Sequence, residues 1–147
     1  MDELKAEEGY KYIAVYGSLR KGCYNYASFI RHYGTENLRY IKTMIIRGFK
    51  LYNLGAYPGI KIGLPEDALV IDIMKASNDV YKRILRMEQG AGYEELSLNL
   101  PGYIEPIPIF LYKYFIYEKQ WVKSGDWVEH MTELETEKRE LFDKISV

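Results

Sequence analysis

A short run with strand character ends abruptly at a glycine-containing loop near the start of the chain. Apolar and β-branched residues fill much of Lys11–Val15, and the loop Tyr16–Gly22 follows directly. Gly17 and Gly22 permit backbone turns that other residues resist. Such a turn can point several main-chain N–H groups at one place, which suits a bound anion or a developing oxyanion. The pattern predicts either a tight turn that only closes the strand or an anion-binding loop.

This loop lacks the other parts of a nucleotide-binding motif. Gly17 and Gly22 have the spacing of the phosphate-binding loop, but Cys23–Tyr24 stands where a lysine and a serine or threonine belong. The dinucleotide motif G-x-G-x-x-G is also missing from the sequence. We therefore expect no nucleotide cofactor.

Length and cysteine content indicate one domain in a reducing compartment. The chain has 147 residues, which is close to the usual size of a single domain. Its acidic start, Met1–Glu8, lacks the basic and apolar regions of a signal peptide, and no apolar stretch is long enough to span a bilayer. Cys23 is the single cysteine and has no partner for an internal disulfide. We expect a cytoplasmic protein without a membrane partner.

Charge and histidine content exclude several other classes of function. The net charge is −1, so no overall field attracts nucleic acid, and the fifteen tyrosines lie mostly in strand-like runs. His32 and His130 are the two histidines, and no motif typical of metal ligands contains them. We expect no metal and no nucleic-acid partner. The sequence leaves the oligomeric state open, with a monomer as the expectation.

Hydrophobic periodicity predicts a mixture of strands and helices. Asn25 is expected to cap the N-terminus of one helix and Ser77 or Asn78 that of a second, which ends at the glycines Gly90 and Gly92. Alternating or short apolar runs predict strands over 10–16, 38–54 with a break near 47–48, 68–74, 93–98 and 108–117.

The C-terminal segment predicts a further, highly charged helix over Thr132–Ile145. Thr132 and Glu135 have the spacing of a capping box. An apolar stripe is expected to be buried, either on the domain itself, which we favour, or against a partner; its members are Leu134, Leu141, Phe142 and Ile145.

Four segments carry motifs that belong together. They are Tyr16–Gly22 (YGSLRKG), Gly48–Gly59 (GFKLYNLGAYPG), Arg86–Tyr93 (RMEQGAGY) and Ser124–Trp127 (SGDW). In this order they resemble the motifs of the gamma-glutamylcyclotransferase-like superfamily, in its AIG2-like or gamma-glutamylamine cyclotransferase branch. The resemblance covers roughly residues 10–128. It implies an α+β fold in which a small mixed β-barrel of about six strands has flanking helices. We expect residues 1–147 to form one such domain, with residues 131–147 as a C-terminal helical extension.

Glu88 is the candidate catalytic residue. By helical spacing it lies one turn past Ile84, at the edge of the apolar face, and directly before the glycine-rich break. Taken alone, this position is also typical of a solvated surface glutamate. It matches the family's catalytic glutamate, so the resemblance implies a general base that then acts as the acid. The expected substrate-binding residues are Tyr16, Gly17, Ser18, Leu19 and Tyr93.

The implied reaction is the cyclisation of a gamma-glutamyl amine, or a related small gamma-glutamyl compound, to 5-oxoproline with release of the free amine. No cofactor is needed. The alternative is a non-catalytic ligand-binding or interaction protein that keeps the fold. Two departures from the family bear on the leaving group. Gln89–Gly92 lacks the usual proline, and Glu94–Glu95 replaces a residue that is often basic.

Overall fold

The computed structural model describes residues 5–145, which form a mixed α+β fold. The described strands are β1 (Tyr10–Val15), β2 (Leu38–Arg47), β3 (Phe49–Asn53), β4 (Pro58–Ile62), β5 (Ala68–Ser77), β6 (Tyr93–Leu98), β7 (Ile107–Tyr112) and β8 (Trp121–Val122). The α-helices are α1 (Tyr24–Tyr33), α2 (Asn78–Gly90) and α3 (Trp127–Ile145).

Strand β5 is the centre of the main sheet, whose order is β1-β5-β2 with both pairings antiparallel. It is apolar on both faces because both faces are covered. Leu69, Ile71 and Ile73 point into one apolar cluster, whereas Met74 and Ala76 belong to a second cluster on the opposite face. The alternation along one strand therefore divides the core into two parts.

Different elements cover the two faces of this sheet. On one side lies the second sheet, ordered β4-β3-β8, which contributes Leu51, Ile60 and Val122 to the first cluster. On the other side lies α2, which contributes Val80 and Ile84 to the second cluster. The hairpin of β6 and β7 supplies side chains to both clusters and closes the gap between the covering layers.

The α+β class predicted from the sequence is confirmed, but the predicted barrel of about six strands is not. Within residues 5–145 the eight strands form three separate hydrogen-bonded sheets, and no closed barrel is present. Strand β4 was missed because it begins with Pro58 and Gly59, which disfavour a strand in general. Here Pro58 is the first residue of an edge strand, where a missing N–H costs no ladder hydrogen bond.

One of the two predicted N-terminal caps is correct. Ser77 caps α2, because its hydroxyl accepts a hydrogen bond from the Val80 N–H at 3.3 Å. Asn25 does not cap α1. That helix begins at Tyr24, with Cys23 at the N-cap position, and the Asn25 side chain bonds to Ser18 instead.

The C-terminal helix differs from the prediction in its start and in its exposure. Helix α3 begins at Trp127 rather than Thr132, because Asp126 accepts a hydrogen bond from the Glu129 N–H at 3.1 Å and caps it. The favoured burial of the apolar stripe on the domain itself is wrong: Leu134 is half-buried, but Leu141 is 59% exposed and Ile145 is 73% exposed. In the part of the chain that the structure describes, no helix is long and apolar enough to cross a membrane.

Candidate active site

A cavity of about 270 Å³ lies where the end of β1, the turn between β3 and β4, and the end of α2 meet. All six residues predicted to form the site line it: Tyr16, Gly17, Ser18, Leu19, Glu88 and Tyr93. The structure therefore brings together residues as far apart in sequence as Tyr16 and Tyr93. Residues that the sequence did not single out complete the wall: Ala14, Val15, Asn25, Tyr57, Pro58, Met87, Ala91 and Phe110.

Three successive residues of the loop after β1, Gly17, Ser18 and Leu19, line this wall. Within residues 5–145, the N–H groups of Gly17, Ser18 and Leu19 have no hydrogen-bond acceptor. Gly17 is required by packing, since a Cβ there would overlap the Pro58 ring. Three successive unengaged donors at a cavity wall suit an anionic group of a ligand.

Hydrogen bonds from α1 fix the position of Ser18. Asn25 donates its amide N–H to Ser18 Oγ at 2.7 Å, and the Tyr26 N–H donates to the Ser18 carbonyl at 3.1 Å. Neither histidine lines the cavity: His32 Nδ1 bonds to a backbone carbonyl of its own helix, and His130 Nε2 lies 3.0 Å from an Asn53 amide nitrogen. The arrangement gives Ser18 no histidine base.

Glu88 lies in the last turn of α2 and faces the cavity. It is partly buried, and among the described residues no donor or cation contacts its carboxyl group. Burial raises the pKa of Glu88 from 4.5 to about 7. A carboxyl group with this pKa can both accept and donate a proton near neutral pH.

Two tyrosines form the buried wall, and their hydroxyl protons are already engaged. Tyr16 donates to the Phe110 carbonyl at 2.6 Å, and Tyr93 donates to the Pro58 carbonyl. Burial raises the pKa of Tyr16 well above 10, and burial likewise raises the pKa of Tyr93. Both hydroxyls are therefore neutral hydrogen-bond donors to the backbone, and neither has a proton left to donate to a ligand.

A cluster of charged side chains fixes the second half of the loop, at Arg20 and Lys21. We call Arg20, Asp72 and Asp126 the anchor cluster. Arg20 Nη1 lies 2.8 Å from Asp126, and Arg20 Nε lies 3.4 Å from Asp72 but has no hydrogen-bond partner among the described residues. Asp72 also accepts hydrogen bonds from the Lys21 N–H at 2.9 Å and from the Thr43 hydroxyl at 2.7 Å. These bonds fix the loop to the central strand and to α3.

The anchor cluster gives a physical reason for the SGDW segment. Asp126 pairs with Arg20 and caps α3 at the same time. The preceding Gly125 has φ +68°, and a Cβ there would overlap the Ala68 carbonyl, so only glycine fits. One signal in the sequence pointed to this cluster and was not used: Asp72 is a lone charge in the otherwise apolar run 68–74.

The described residues contain no group of three or more His, Cys, Asp or Glu side chains arranged to hold a metal ion. Cys23 is half-buried and free, and burial raises the pKa of its thiol. At the cavity, Glu88 can transfer a proton, and backbone N–H groups of the Gly17–Leu19 loop can bind an anion.

Comparisons with known proteins agree with the motifs. The family model described as gamma-glutamyl cyclotransferase, AIG2-like, matches residues 13–129. A comparison with curated proteins gave no match.

Solved structures share the fold. An uncharacterised protein of Pyrococcus horikoshii is 23% identical, with a TM-score of 0.66 over 86% of this chain and 97% of its own. The protein ytfP of Escherichia coli is 22% identical, with a TM-score of 0.62 over 81% and 97% of the two chains. A Kluyveromyces lactis allophanate hydrolase is 17% identical, with a TM-score of 0.65 over 84% of this chain but only 21% of its own.

Proposed function

The chain belongs to the AIG2-like gamma-glutamyl cyclotransferase family, and we propose that it converts a gamma-glutamyl amine or related gamma-glutamyl compound to 5-oxoproline and the free amine. The observation that carries this proposal is a single carboxyl group with a raised pKa, Glu88, in one cavity with three unengaged main-chain donors. Fold alone would not suffice, because one fold hosts many functions.

The reaction needs no covalent intermediate on the protein. The substrate carries its own nucleophile, the α-amine, which attacks the γ-carbonyl carbon and closes a five-membered ring. The new C–N bond forms as the bond to the leaving nitrogen breaks. Intramolecular attack of this kind has an effective concentration of up to about 10⁵–10⁸ M when the groups are well oriented. The site must therefore orient the substrate and move protons.

Glu88 is proposed to move those protons. The α-ammonium loses two protons during the reaction and the leaving nitrogen gains two, so one group beside both nitrogens can serve each transfer. A carboxylate with a pKa of about 7 is a stronger base than an ordinary glutamate, and its acid form is populated near neutral pH. The raised pKa supports a role in both directions.

The Gly17–Leu19 donors are proposed to bind either the substrate carboxylate or the oxyanion that develops on the γ-carbonyl. Their backbone position is supported by the packing of Gly17 against Pro58 and by the anchor cluster, which holds Arg20 and Lys21. Tyr16 and Tyr93 are proposed to wall the buried part of the substrate pocket. Preorganised donors of this kind need little rearrangement when charge develops.

Release of 5-oxoproline from a panel of gamma-glutamyl amines tests the proposal. We expect turnover of at least one member by the wild-type protein and loss of that turnover in Glu88→Gln, while Glu94→Gln, an exposed neighbour, keeps it. Binding of a gamma-glutamyl compound without any 5-oxoproline release would instead support a non-catalytic ligand-binding protein.

A further inference from the structure

Asn25 lies in the first turn of α1, but its side chain does not stabilise that helix. The N-cap position is Cys23, whose side chain makes no capping hydrogen bond. The Asn25 amide reaches back to the loop instead, and its Nδ2 lies 2.7 Å from Ser18 Oγ. Asparagine also has a low helix propensity, so α1 gains little from this residue. The contact with the cavity wall is therefore the feature that distinguishes Asn25.

The backbone attaches the loop to α1 independently of the Asn25 side chain. The Tyr26 N–H donates to the Ser18 carbonyl at 3.1 Å, and the Cys23 N–H donates to the Arg20 carbonyl at 3.0 Å. The anchor cluster fixes Arg20 as well. Because the loop backbone has these supports, the bond from Asn25 acts mainly on the orientation of the Ser18 hydroxyl.

The Ser18 hydroxyl has a proton that no residue of the described part of the chain accepts. A serine hydroxyl has one proton to donate and two lone pairs to accept hydrogen bonds, whereas the NH₂ of an asparagine only donates. Ser18 Oγ is therefore the acceptor in its bond from Asn25. Within residues 5–145 no acceptor contacts the remaining proton, and Ser18 lines the cavity. The bond from Asn25 also polarises the hydroxyl and makes it a stronger donor.

This hydroxyl belongs to the part of the cavity that suits an anion. The N–H groups of Gly17, Ser18 and Leu19 also have no acceptor within residues 5–145. The mouth of the cavity, where Tyr57 is 47% exposed and Met87 is 37% exposed, is apolar. An anionic group of a ligand is therefore expected at the loop, where a hydroxyl donor adds to the main-chain donors.

We propose that Asn25 is a positioning residue: by donating to Ser18 Oγ it turns the hydroxyl proton toward the cavity, where the proton bonds to the anionic group that the Gly17–Leu19 donors receive. This inference rests on the proposed function and adds to its site a fourth donor and the residue that orients it. Asn25 acts through Ser18, and Ser18 is a binding residue rather than a nucleophile.

A double-mutant cycle tests whether Asn25 acts through Ser18. Ser18→Ala should lower kcat/KM for the best gamma-glutamyl amine of the panel about tenfold, as expected for one lost hydrogen bond to a charged group. Asn25→Ala should lower it about fivefold, because the ligand must then order an undirected hydroxyl. Added to Ser18→Ala, the same change should cost less than about twofold. An equal loss from Asn25→Ala in both backgrounds overturns the inference.

Asn25→Asp tests the direction of the bond. Aspartate has the same size, but its carboxylate only accepts hydrogen bonds, so Ser18 would donate its proton away from the cavity. The new charge also repels a bound anion, and adding Asn25→Asp to Ser18→Ala measures this part of the loss. At pH 8 we expect kcat/KM to fall about 100-fold in the wild-type background but only about tenfold in Ser18→Ala. Equal factors would mean that the bond only tethers the loop or runs from Ser18 to Asn25, and either result contradicts the proposal.

Asn78, the first residue of α2, provides the matched control. It is exposed and lies outside the cavity lining. Asn78→Ala and Asn78→Asp make the same chemical changes at the start of a helix, and they should leave kcat/KM within about twofold of wild type. Thermal unfolding of every variant establishes that folded proteins are compared. Losses in the Asn78 variants as large as those in the Asn25 variants would contradict a role that depends on Ser18.

Calorimetric binding of 5-oxoproline separates the inference from the proposed function, because binding needs no turnover. Asn25→Ala should weaken binding about fivefold when Ser18 is present and less than about twofold in Ser18→Ala. If this pattern is found while the wild-type protein releases no 5-oxoproline from the panel, the proposed function fails and the inference stands. If turnover is found and Asn25→Ala weakens binding equally in both backgrounds, the proposed function stands and the inference fails. A protein that neither releases nor binds 5-oxoproline contradicts both.

Discussion

Two buried or partly buried carboxyl groups, Glu88 and Asp72, lie near the same Tyr16–Gly22 loop but differ in their hydrogen-bond partners. Glu88 faces the cavity, and no donor within residues 5–145 contacts its carboxyl group. Asp72 lies outside the cavity lining. It forms an ion pair with Arg20 and accepts hydrogen bonds from the Lys21 N–H and the Thr43 hydroxyl. Burial is common to both groups, and the difference lies in the partners.

This difference in partners suits Glu88 to proton transfer and Asp72 to stabilising the fold. A buried carboxylate with several donors has its charge compensated and resists change. A partly buried carboxyl group without donors is easily protonated, and it has oxygens left for a ligand. The comparison predicts that substitutions at Glu88 affect turnover more than folding, whereas substitutions in the anchor cluster affect folding more than turnover.

The largest expected effect is on turnover in Glu88→Gln. The substitution keeps size but removes the proton acceptor, so kcat should fall by about 10²–10⁴-fold, the usual contribution of a general acid–base. In the wild-type protein, kcat/KM should rise with pH and level off above the pKa of Glu88, which is about 7. Near-wild-type turnover by the folded variant would remove Glu88 from the mechanism.

Asp72→Asn is the matching change in the anchor cluster. It removes one of the two carboxylates beside the buried Arg20 and should lower the free energy of unfolding by about 3 kcal/mol, as measured by chemical denaturation. Asp143→Asn, an exposed change of the same charge on α3, is the control and should cost less than about 0.5 kcal/mol. Equal stabilities of the two variants would contradict the supporting role of the cluster.

Gly17→Ala tests the loop between these two carboxyl groups. The added Cβ overlaps Pro58, so the loop or β4 must shift, and the main-chain donors shift with it. We expect kcat/KM to fall about tenfold or more, because small displacements of positioned groups are costly. Gly90→Ala, where a Cβ meets nothing within 4 Å, should leave kcat/KM unchanged. Unchanged activity in Gly17→Ala would argue against donors fixed by this packing.

A smaller effect is expected on the pH dependence of stability. The folded protein raises the pKa of Glu88 from 4.5 to about 7, so the native state binds this proton more tightly than the unfolded chain. The contribution of Glu88 to the unfolding free energy is therefore complete below pH 4.5 and is lost as the pH rises to about 7. Glu88→Gln does not lose this stability as the pH rises. The difference in melting temperature, variant minus wild type, should therefore be a few degrees larger at pH 8 than at pH 4.5. A constant difference between the two proteins would contradict the raised pKa.

The smallest effect is expected at the end of α3, which belongs to neither side of the comparison. Leu141→Ser and Ile145→Ser change exposed residues, so each should alter the free energy of unfolding by less than about 0.5 kcal/mol. Leu69→Ser, at a fully buried position of β5, is the contrasting variant and should destabilise the protein severely. A large loss of stability in Leu141→Ser would instead support the burial of this residue that the sequence predicted.

Local patterns in the sequence predicted the elements whose signals lie within a few residues. The strand before the Tyr16–Gly22 loop, the break near residue 47 and the Ser77 cap of α2 follow from alternation, glycine and capping chemistry. Strand β4 and the start of α3 were missed, because their local residues favour other structures and pairing with distant segments decides them.

The sequence by itself determined the family, the general α+β class and which motif residues were to be looked for at one cavity, because these reside in residue type and spacing. Only the tertiary structure decided that Glu88 has no donor within residues 5–145 while Asp72 has several, that Asn25 bonds to Ser18, and that the cavity mouth is apolar. The physical reason is distance along the chain. Arg20 and Asp126 are 106 residues apart, and the pKa of a carboxyl group depends on burial and on neighbours that no local pattern encodes.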